Sequence, residues 1–299
     1  LNLFNIRTDL AVEARELAGK TAAEKGELPG IASREYTEGG TSVSVVDILD
    51  ERGEQAIGKP KGRYITLEFD PRHISDNFEA IVRTAAKELK SLIPAQRAKS
   101  VLVIGLGNWH ITPDAIGPRT VENIMVTRHL VEHMPEHFSN FRPVSALSPG
   151  VLGITGMESL DIIQGVCAKV RPDLVIAVDA LVSRKASRLC RTIQISDTGI
   201  TPGSGIGNSR AAINSESLNV PVIAAGIPTV VDAATLAYDF IEEAGGKPDG
   251  SIFEKMGGTM IVTPKDADRK VADIAKLLGY AINMALHDFS VGEITSFLS

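Results

Sequence analysis

Two rhythms of apolar and polar residues divide the chain. Up to residue 72 the pattern is short-range. "TSVSVVDILD" and "GRYITLEFD" alternate apolar and polar positions, the period of a half-buried strand, and predict two antiparallel strands. Asp9 to Lys25 is helix-compatible, and "GELPG" ends it. The charged, turn-rich stretch from Glu51 to Gly62 is expected to be a loop. From residue 73 the pattern changes. "SVLVIGLGN", "DLVIAVDAL", "VPVIAAGIP" and "GTMIVTP" are short continuous apolar runs, as in strands buried on both faces of a parallel sheet. "RTIQISD" predicts a further strand. Helical periodicity marks "SDNFEAIVRTAAKELKSLI", "PRTVENIMVTRHLVEHM", "GMESLDIIQGVCAKV", "DAATLAYDFIEEAG" and "DADRKVADIAKLLGYAINMALHDF". The alternation predicts an α/β fold with a mostly parallel central sheet flanked by helices. Residues 10–72 form a small N-terminal β-containing appendage, as a separate sheet or an extended edge, and residues 73–299 form the core.

In open α/β sheets the ligand crevice lies at the carboxyl ends of the strands. That rule selects Gly105–Pro118, Asp179–Arg184, Asp197–Asn208 and Gly226–Asp232, each containing an aspartate. Asp114 follows the glycine turn of "GLGNWHITPDAIGPR", as a turn acid or as a carboxylate at the mouth of the sheet. Asp179 closes the apolar run "LVIAV", where a charge is expensive unless hydrogen-bonded or paired. It caps a helix, pairs with Arg184, Lys185 or Arg188, or works as a catalytic acid. Two carboxylates facing one cleft repel, so one is protonated while the other is ionised. Such a pair suits peptide hydrolysis: the ionised member takes a proton from water, and the protonated one polarises the carbonyl or protonates the leaving amine. "QISDTGITPGSGIGN" contains an Asp-Thr-Gly triplet like that of pepsin-like proteases. Those enzymes are all-β and need two such loops, so Asp197 is expected to cap backbone N–H groups of its turn. Ser204, in "PGSGIG", lacks an identifiable histidine and acid partner for nucleophilic catalysis.

Composition narrows the field. The chain has 299 residues, 43% hydrophobic and 23% charged, with a formal charge of −6, which gives no reason to expect nucleic acid or a membrane as partner. No apolar run is long enough to span a bilayer, and the N-terminus is not a signal peptide. Cys167 and Cys190 form no disulfide framework, are expected to be buried, and point to a reducing cytoplasmic compartment. His129, His133 and His137 recur every four residues, but Pro135 interrupts them, so they are expected to face solvent near a helix C-terminus. His110, in "NWHITPD", lies nearer the expected site. No Cys/His cluster has zinc spacing. "GLGN" lacks the third glycine of a dinucleotide fingerprint, and Walker spacing is absent, which counts against a nucleotide-binding module. No cofactor and no metal are expected.

"IRTDLAVEA", "GLGNWHITPDAIGPRTV", "SPGVLGITGMESLDII", "LVIAVDALVSR", "TIQISDTGITPGSGIGNSR", "GIPTVVDAATL" and "MIVTPKDAD" run in order from Ile6 to Asp268. Together they resemble the germination protease family of spore-forming bacteria. The resemblance implies an endopeptidase of the spore core that degrades small acid-soluble spore proteins, made as a self-processing zymogen and assembled as a homotetramer. It implies catalytic roles for Asp114, in "TPDAIGP", and Asp179, in "VDAL", in an atypical aspartic-type site. Asn108, His110, Glu158, Asp197, Ser204 and Asp232 fall in the same motifs and are expected to bind substrate or support the site. The family's substrate motif, Thr-Glu followed by Phe or Ile and Ala-Ser-Glu, is echoed by "TDLAVE". That echo places self-cleavage between Asp9 and Leu10 and makes residues 1–9 a pro-segment, leaving one peptidase domain over residues 10–299. The core is also similar to hydrogenase-maturation endopeptidases, which use two acids and a histidine to hold a metal. That similarity keeps open metal-assisted hydrolysis by the same acids, with His110 as third ligand.

Overall fold

A computed structural model of the protein describes residues 8–22, 28–70, 74–94, 98–207, 210–246 and 260–299. The N-terminal half runs α1 (Ala11–Ala22), β1 (Ile31–Glu38), β2 (Thr41–Ile48), α2 (Glu51–Ile57), β3 (Gly62–Glu68), α3 (Ile74–Leu92), β4 (Val101–Gly105), α4 (Ile116–Val121), α5 (Arg128–His133), α6 (Pro135–Phe138) and β5 (Val144–Leu147). There follow α7 (Leu152–Thr155), α8 (Ser159–Val170), β6 (Leu174–Ser183), β7 (Thr192–Ser196), α9 (Ser215–Leu218), β8 (Val222–Asp232), α10 (Ala233–Glu243), β9 (Ile261–Val262), α11 (Ala267–His287) and α12 (Val291–Leu298).

The fold is α/β. One sheet runs in the order β1-β2-β3-β7-β8-β6-β4-β5, with β9 paired to β8. Its two halves differ. β5, β4, β6 and β8 are parallel, and the apolar runs of β4, β6 and β8 are buried on both faces, as continuous hydrophobic strands require, while the edge strand β5 buries only Val144. β1, β2, β3 and β7 pair antiparallel, and β7 joins β8 antiparallel. The N-terminal strands therefore extend an edge of the main sheet. β2 buries side chains on both faces: Val43 and Val45 join the main core, while Val46 and Ile48 point the other way and pack with Ala11 of α1 and Tyr64 of β3.

Several elements differ from expectation for identifiable reasons. The charged stretch after β2 forms α2 because Asp50 caps it, accepting from the Arg52 and Gly53 amides, and Gly58 ends it at φ 68°. β1 escapes an alternation test because most of its residues are exposed at the sheet edge. The run after residue 260 yields only the two-residue β9, antiparallel and poorly buried. Cys190 is buried as expected, whereas Cys167 is only half-buried.

The main core lies between the sheet and the pair α3 and α11. α11 buries Val271, Ile274, Leu277, Leu278 and Ile282 along one stripe, and α3 buries Ile81, Val82, Ala85 and Leu89 against the same layer. A second cluster, around Leu102, Ile104, Ile163 and Val175, packs α8 on the other face. The sheet is thus held rigid where β4 and β6 end.

Among the described residues no helix is long and apolar enough to cross a membrane.

Candidate active site

β4 ends at Gly105, opposite Val178 of β6, while β6 and β8 continue beyond it. Asp179 therefore lies inside a strand, not after one, and Gly226–Asp232 is strand rather than loop. On one side of β6 the N–H and C=O groups of Val178, Ala180, Val182 and Arg184 point toward β4. The last bond β4's segment makes there is from the Leu106 N–H to the Val178 carbonyl, 2.8 Å. Past that point the edge of β6 is free for other partners, and a cleft of about 200 Å³ opens beside it.

Asp114 and Asp179, far apart in sequence, both line that cleft. Asp114 ends a short 3₁₀ turn, Thr112–Asp114, and its Oδ2 accepts from the Asn108 N–H at 2.7 Å. Gly107, at φ 111°, allows the chain to wrap this turn: a Cβ there would sit 2.0 Å from the Asp114 carbonyl oxygen. Asp179 is buried, and its Oδ1 accepts from the Ala180 N–H at 2.9 Å. Desolvation raises the Asp114 pKa against the opposing Asn108 hydrogen bond. Desolvation drives Asp179 well above the usual carboxylate range, and the charges of Asp114 and Asp9 push it further. No cation pairs with Asp179 among the described residues. Arg184 instead binds Asp239 and Glu242, and Arg188 binds Glu13, Glu16 and Glu68. Lys185 binds Glu16. Both acids line one cleft and burial raises the pKa of each, Asp179 the more strongly.

The chain's own N-terminal segment occupies the free edge of β6. The Asp9 N–H donates to the Val182 carbonyl, and the Asp9 carboxylate accepts from the Val182 N–H, both at 2.8 Å. Ser204 Oγ donates to the other Asp9 oxygen at 3.1 Å. Gly205 makes room: a Cβ there would fall 2.3 Å from the Asp9 carboxylate. Gln194 clamps the backbone, donating to the Asp9 carbonyl at 3.0 Å and accepting from the Ala11 N–H at 2.6 Å. Leu10 is fully buried against Leu181 and Ile200. Glu13 accepts from the Arg184 N–H at 2.6 Å and the Lys185 N–H at 3.1 Å, so α1 is anchored two residues further along the same edge.

The remaining residues expected at the site divide. Ser204 lines the cleft, and Asn108 positions Asp114 through its backbone. His110 is exposed, its backbone N–H bound to Asn108 Oδ1. Glu158 lies outside the cleft lining and pairs with Arg210 at 3.4 Å. Asp197 accepts from the Arg63 N–H at 2.8 Å and pins β3 beside the end of β7. Asp232 caps α10 through the Thr235 N–H. His129, His133 and His137 are exposed, with α5 ending before Pro135. No three His, Cys, Asp or Glu side chains are grouped as a metal site requires among the described residues. Gln194 and Lys59 escaped the sequence reading; Lys59 stands in no motif, Gln194 is a strand residue of "TIQISDTGITPGSGIGNSR" with no chemistry of its own to mark it, and only long-range contacts bring them to the cleft region.

Residues 11–244 match the family model described as germination protease. Curated germination proteases include one from Caldanaerobacter subterraneus subsp. tengcongensis, 48% identical over 95% of each chain. Those of Clostridium tetani and Bacillus licheniformis are 42% and 41% identical, covering 99% and 96% of this chain and 100% and 95% of their own. Among solved structures, a [NiFe] hydrogenase maturation protease, HycI from Thermococcus kodakarensis KOD1, aligns at TM-score 0.33 and 18% identity, covering 64% of this chain and 98% of its own. The span and identity of these matches settle the family: the chain belongs to the germination proteases and is a peptidase.

Proposed function

We infer that this protein is the endopeptidase that degrades small acid-soluble spore proteins in the spore core during germination, with Asp114 and Asp179 as its catalytic pair. The observation that carries the reading is the convergence of these two acids on one cleft, without a cation, beside a free strand edge that already holds a segment of peptide. In this mechanism one acid is ionised and takes a proton from the attacking water. The other is protonated and donates its proton to the carbonyl oxygen; the first acid, now carrying the proton taken from water, gives it to the leaving nitrogen as the other takes a proton back from the gem-diol hydroxyl. A strand edge suits the task because main-chain bonds hold an extended peptide independently of its sequence.

The same reading makes residues 1–9 a pro-segment, residues 10–299 the peptidase domain and the Asp9–Leu10 bond the self-processing site. Residues 1–7 of that segment lie outside the described residues. Support comes from Asp9 itself, which lines the cleft with both acids while Leu10 is buried behind it. The homotetramer belongs to the reading on family grounds. The test is incubation of the full chain and its Asp179→Asn and Asp114→Asn variants with purified small acid-soluble spore proteins. Mass spectrometry follows both the substrate and the chain's own N-terminus. Both cleavages are expected in the native chain and neither in either variant. Native-rate cleavage by Asp179→Asn overturns the mechanism.

A further inference from the structure

A second chamber, of about 460 Å³, adjoins the cleft, and Asp9 lines both. Its wall includes Thr8, Lys59, Tyr64, Gln194, Ser196 and Asn214. Lys59 is its one lysine or arginine among the described residues and sits in the turn just after Gly58, the left-handed cap of α2. Among the described residues Lys59 makes no hydrogen bond and no ion pair, although its side chain is half-buried. Burial pushes its ammonium pKa down, against the pull of two carboxylates, Asp9 and Glu13. Of these, Glu13 is already neutralised by Arg188 at 3.1 Å and by two backbone amides. Among the described residues Asp9 has only neutral donors to its carboxylate, the Val182 N–H and Ser204 Oγ. A half-buried cation without a partner therefore faces a carboxylate without a counter-charge, across a polar chamber large enough for a side chain.

We propose that Lys59 determines specificity at this site: it receives the acidic side chain of a bound peptide at the residue lying where Asp9 lies, while the peptide main chain pairs with Val182. The proposal rests on the peptidase reading for its substrate but not for its contact. The Val182 N–H and Ser204 Oγ donate to any oxygen at this position, amide or acid, so they cannot by themselves select a charge. A half-buried ammonium does, because an uncharged side chain leaves it unpaired and a cationic one repels it. Tyr64 and Gln194 supply only neutral groups to the chamber, so the sign of the selection comes from Lys59.

The test uses the full chain and peptides copying residues 4–15, with aspartate, asparagine or lysine at the position of Asp9. Native protein is expected to prefer aspartate over asparagine by about tenfold or more in kcat/KM, the scale of one charge-assisted contact. Lys59→Met is expected to bring that ratio to about one, and Lys59→Glu to favour the lysine peptide; Lys59→Arg keeps the native order. A native ratio near one, or a ratio unchanged in Lys59→Met, overturns the proposal. A second measurement does not need catalysis. In the Asp179→Asn background, hydrogen exchange at the Asp9 and Ala11 amides is expected to speed up about tenfold with Lys59→Glu and to stay near native with Lys59→Arg. Equal exchange in Lys59→Glu and its Lys59 parent overturns the contact. Failure of native protein to cleave any peptide counts against the peptidase reading alone and leaves the exchange measurement to decide the role of Lys59.

Discussion

Two clusters of acids lie next to each other along β6 and obey opposite rules. Around Arg184 and Arg188, carboxylates are paired: Glu13, Glu16 and Glu68 surround Arg188, and Asp239 and Glu242 hold Arg184. Glu16 is desolvated, yet Arg188 and Lys185 draw its pKa below the ordinary value. A few residues away, Asp114, Asp179 and Asp9 line a cleft where no ion pair satisfies them among the described residues, and Asp179 is driven upward. Burial operates in both places. The difference is the supply of guanidinium groups. Paired charges anchor α1 and fix the end of β6; in the unpaired cluster, burial favours the protonated form of Asp179. The N-terminal segment joins the two clusters, with Glu13 in the first and Asp9 in the second.

Removing a member of the unpaired cluster is expected to have the largest effect. Asp179→Asn preserves shape and the oxygen that accepts from Ala180 but cannot exchange a proton. Peptide cleavage is expected to fall by about a hundred- to ten-thousand-fold, the range for loss of an acid–base group, with KM little changed. Steady-state kinetics on a single peptide, beside circular dichroism of the variant, measures it. A fall confined to KM would mean that Asp179 binds substrate and does no proton transfer.

Breaking the paired cluster is expected to cost stability instead. Arg188→Met leaves Glu13, almost completely buried, without its cation. Loss of one partner of a buried pair costs about 3–5 kcal/mol. Denaturant unfolding measures this. Adding Glu13→Gln to Arg188→Met is expected to recover part of the loss, since the uncompensated charge is then gone. If Arg188→Met is as stable as the native chain, the anchoring role of this cluster is wrong.

The two clusters also predict opposite responses to pH. The folded-state pKa of Asp179 is raised, so between its unfolded value of about 3.9 and its folded value the native state holds more protons than the unfolded chain. Its contribution to stability therefore falls as pH rises through that window, and stays lost above it. Glu16, with a lowered pKa, contributes stability that is present above its unfolded value and lost as pH falls. Asp179→Asn should consequently melt a few degrees higher than the native chain at pH 7–8, at about 2–4 °C per kcal/mol. The difference should close below about pH 4, where both states are protonated. An equal difference at pH 4 and pH 8 would show that packing, not ionisation, sets it.

Much of this arrangement is legible in the sequence, and the remainder is hidden for physical reasons. Continuous apolar runs identify β4, β6 and β8, because a strand buried on both faces has no polar positions to offer. The same runs under-call the length of β6 and β8. Asp179 looks like a terminator because a buried acid is costly, whereas here the strand passes through it and the cost is the source of its raised pKa. An acid following an apolar run is also an ambiguous signal. It selects Asp114 and Asp179, but it equally selects Asp232, which caps α10. Lys59 and Gln194 carry no local signal. Gln194 is a polar residue on a strand, and Lys59 is one charge in a charged turn, and each acquires meaning from the N-terminal segment, more than forty residues from Lys59 and more than 180 from Gln194.

Asp197 gives the smallest expected effect and the cleanest control, because its Asp-Thr-Gly context is the sequence feature most suggestive of an acid protease. Its carboxylate is exposed and lies on the far side of β7 from the unpaired cluster in function as well as in bonding: its Oδ1 accepts from the Arg63 N–H at the start of β3. Thr198 and Gly199 line the second chamber, but Asp197 lines neither it nor the cleft. Asp197→Ala removes one acceptor from a backbone N–H that water can reach. The cost should be at or below the ordinary net value of a hydrogen bond, about 0.5–1.5 kcal/mol. Peptide cleavage should stay within about twofold of native, since the acids that hold the working proton are untouched. A hundredfold loss of kcat in a variant of native stability would move the catalytic pair to Asp197 and abolish the distinction drawn here between acids that fasten strands and acids that are left unpaired to react.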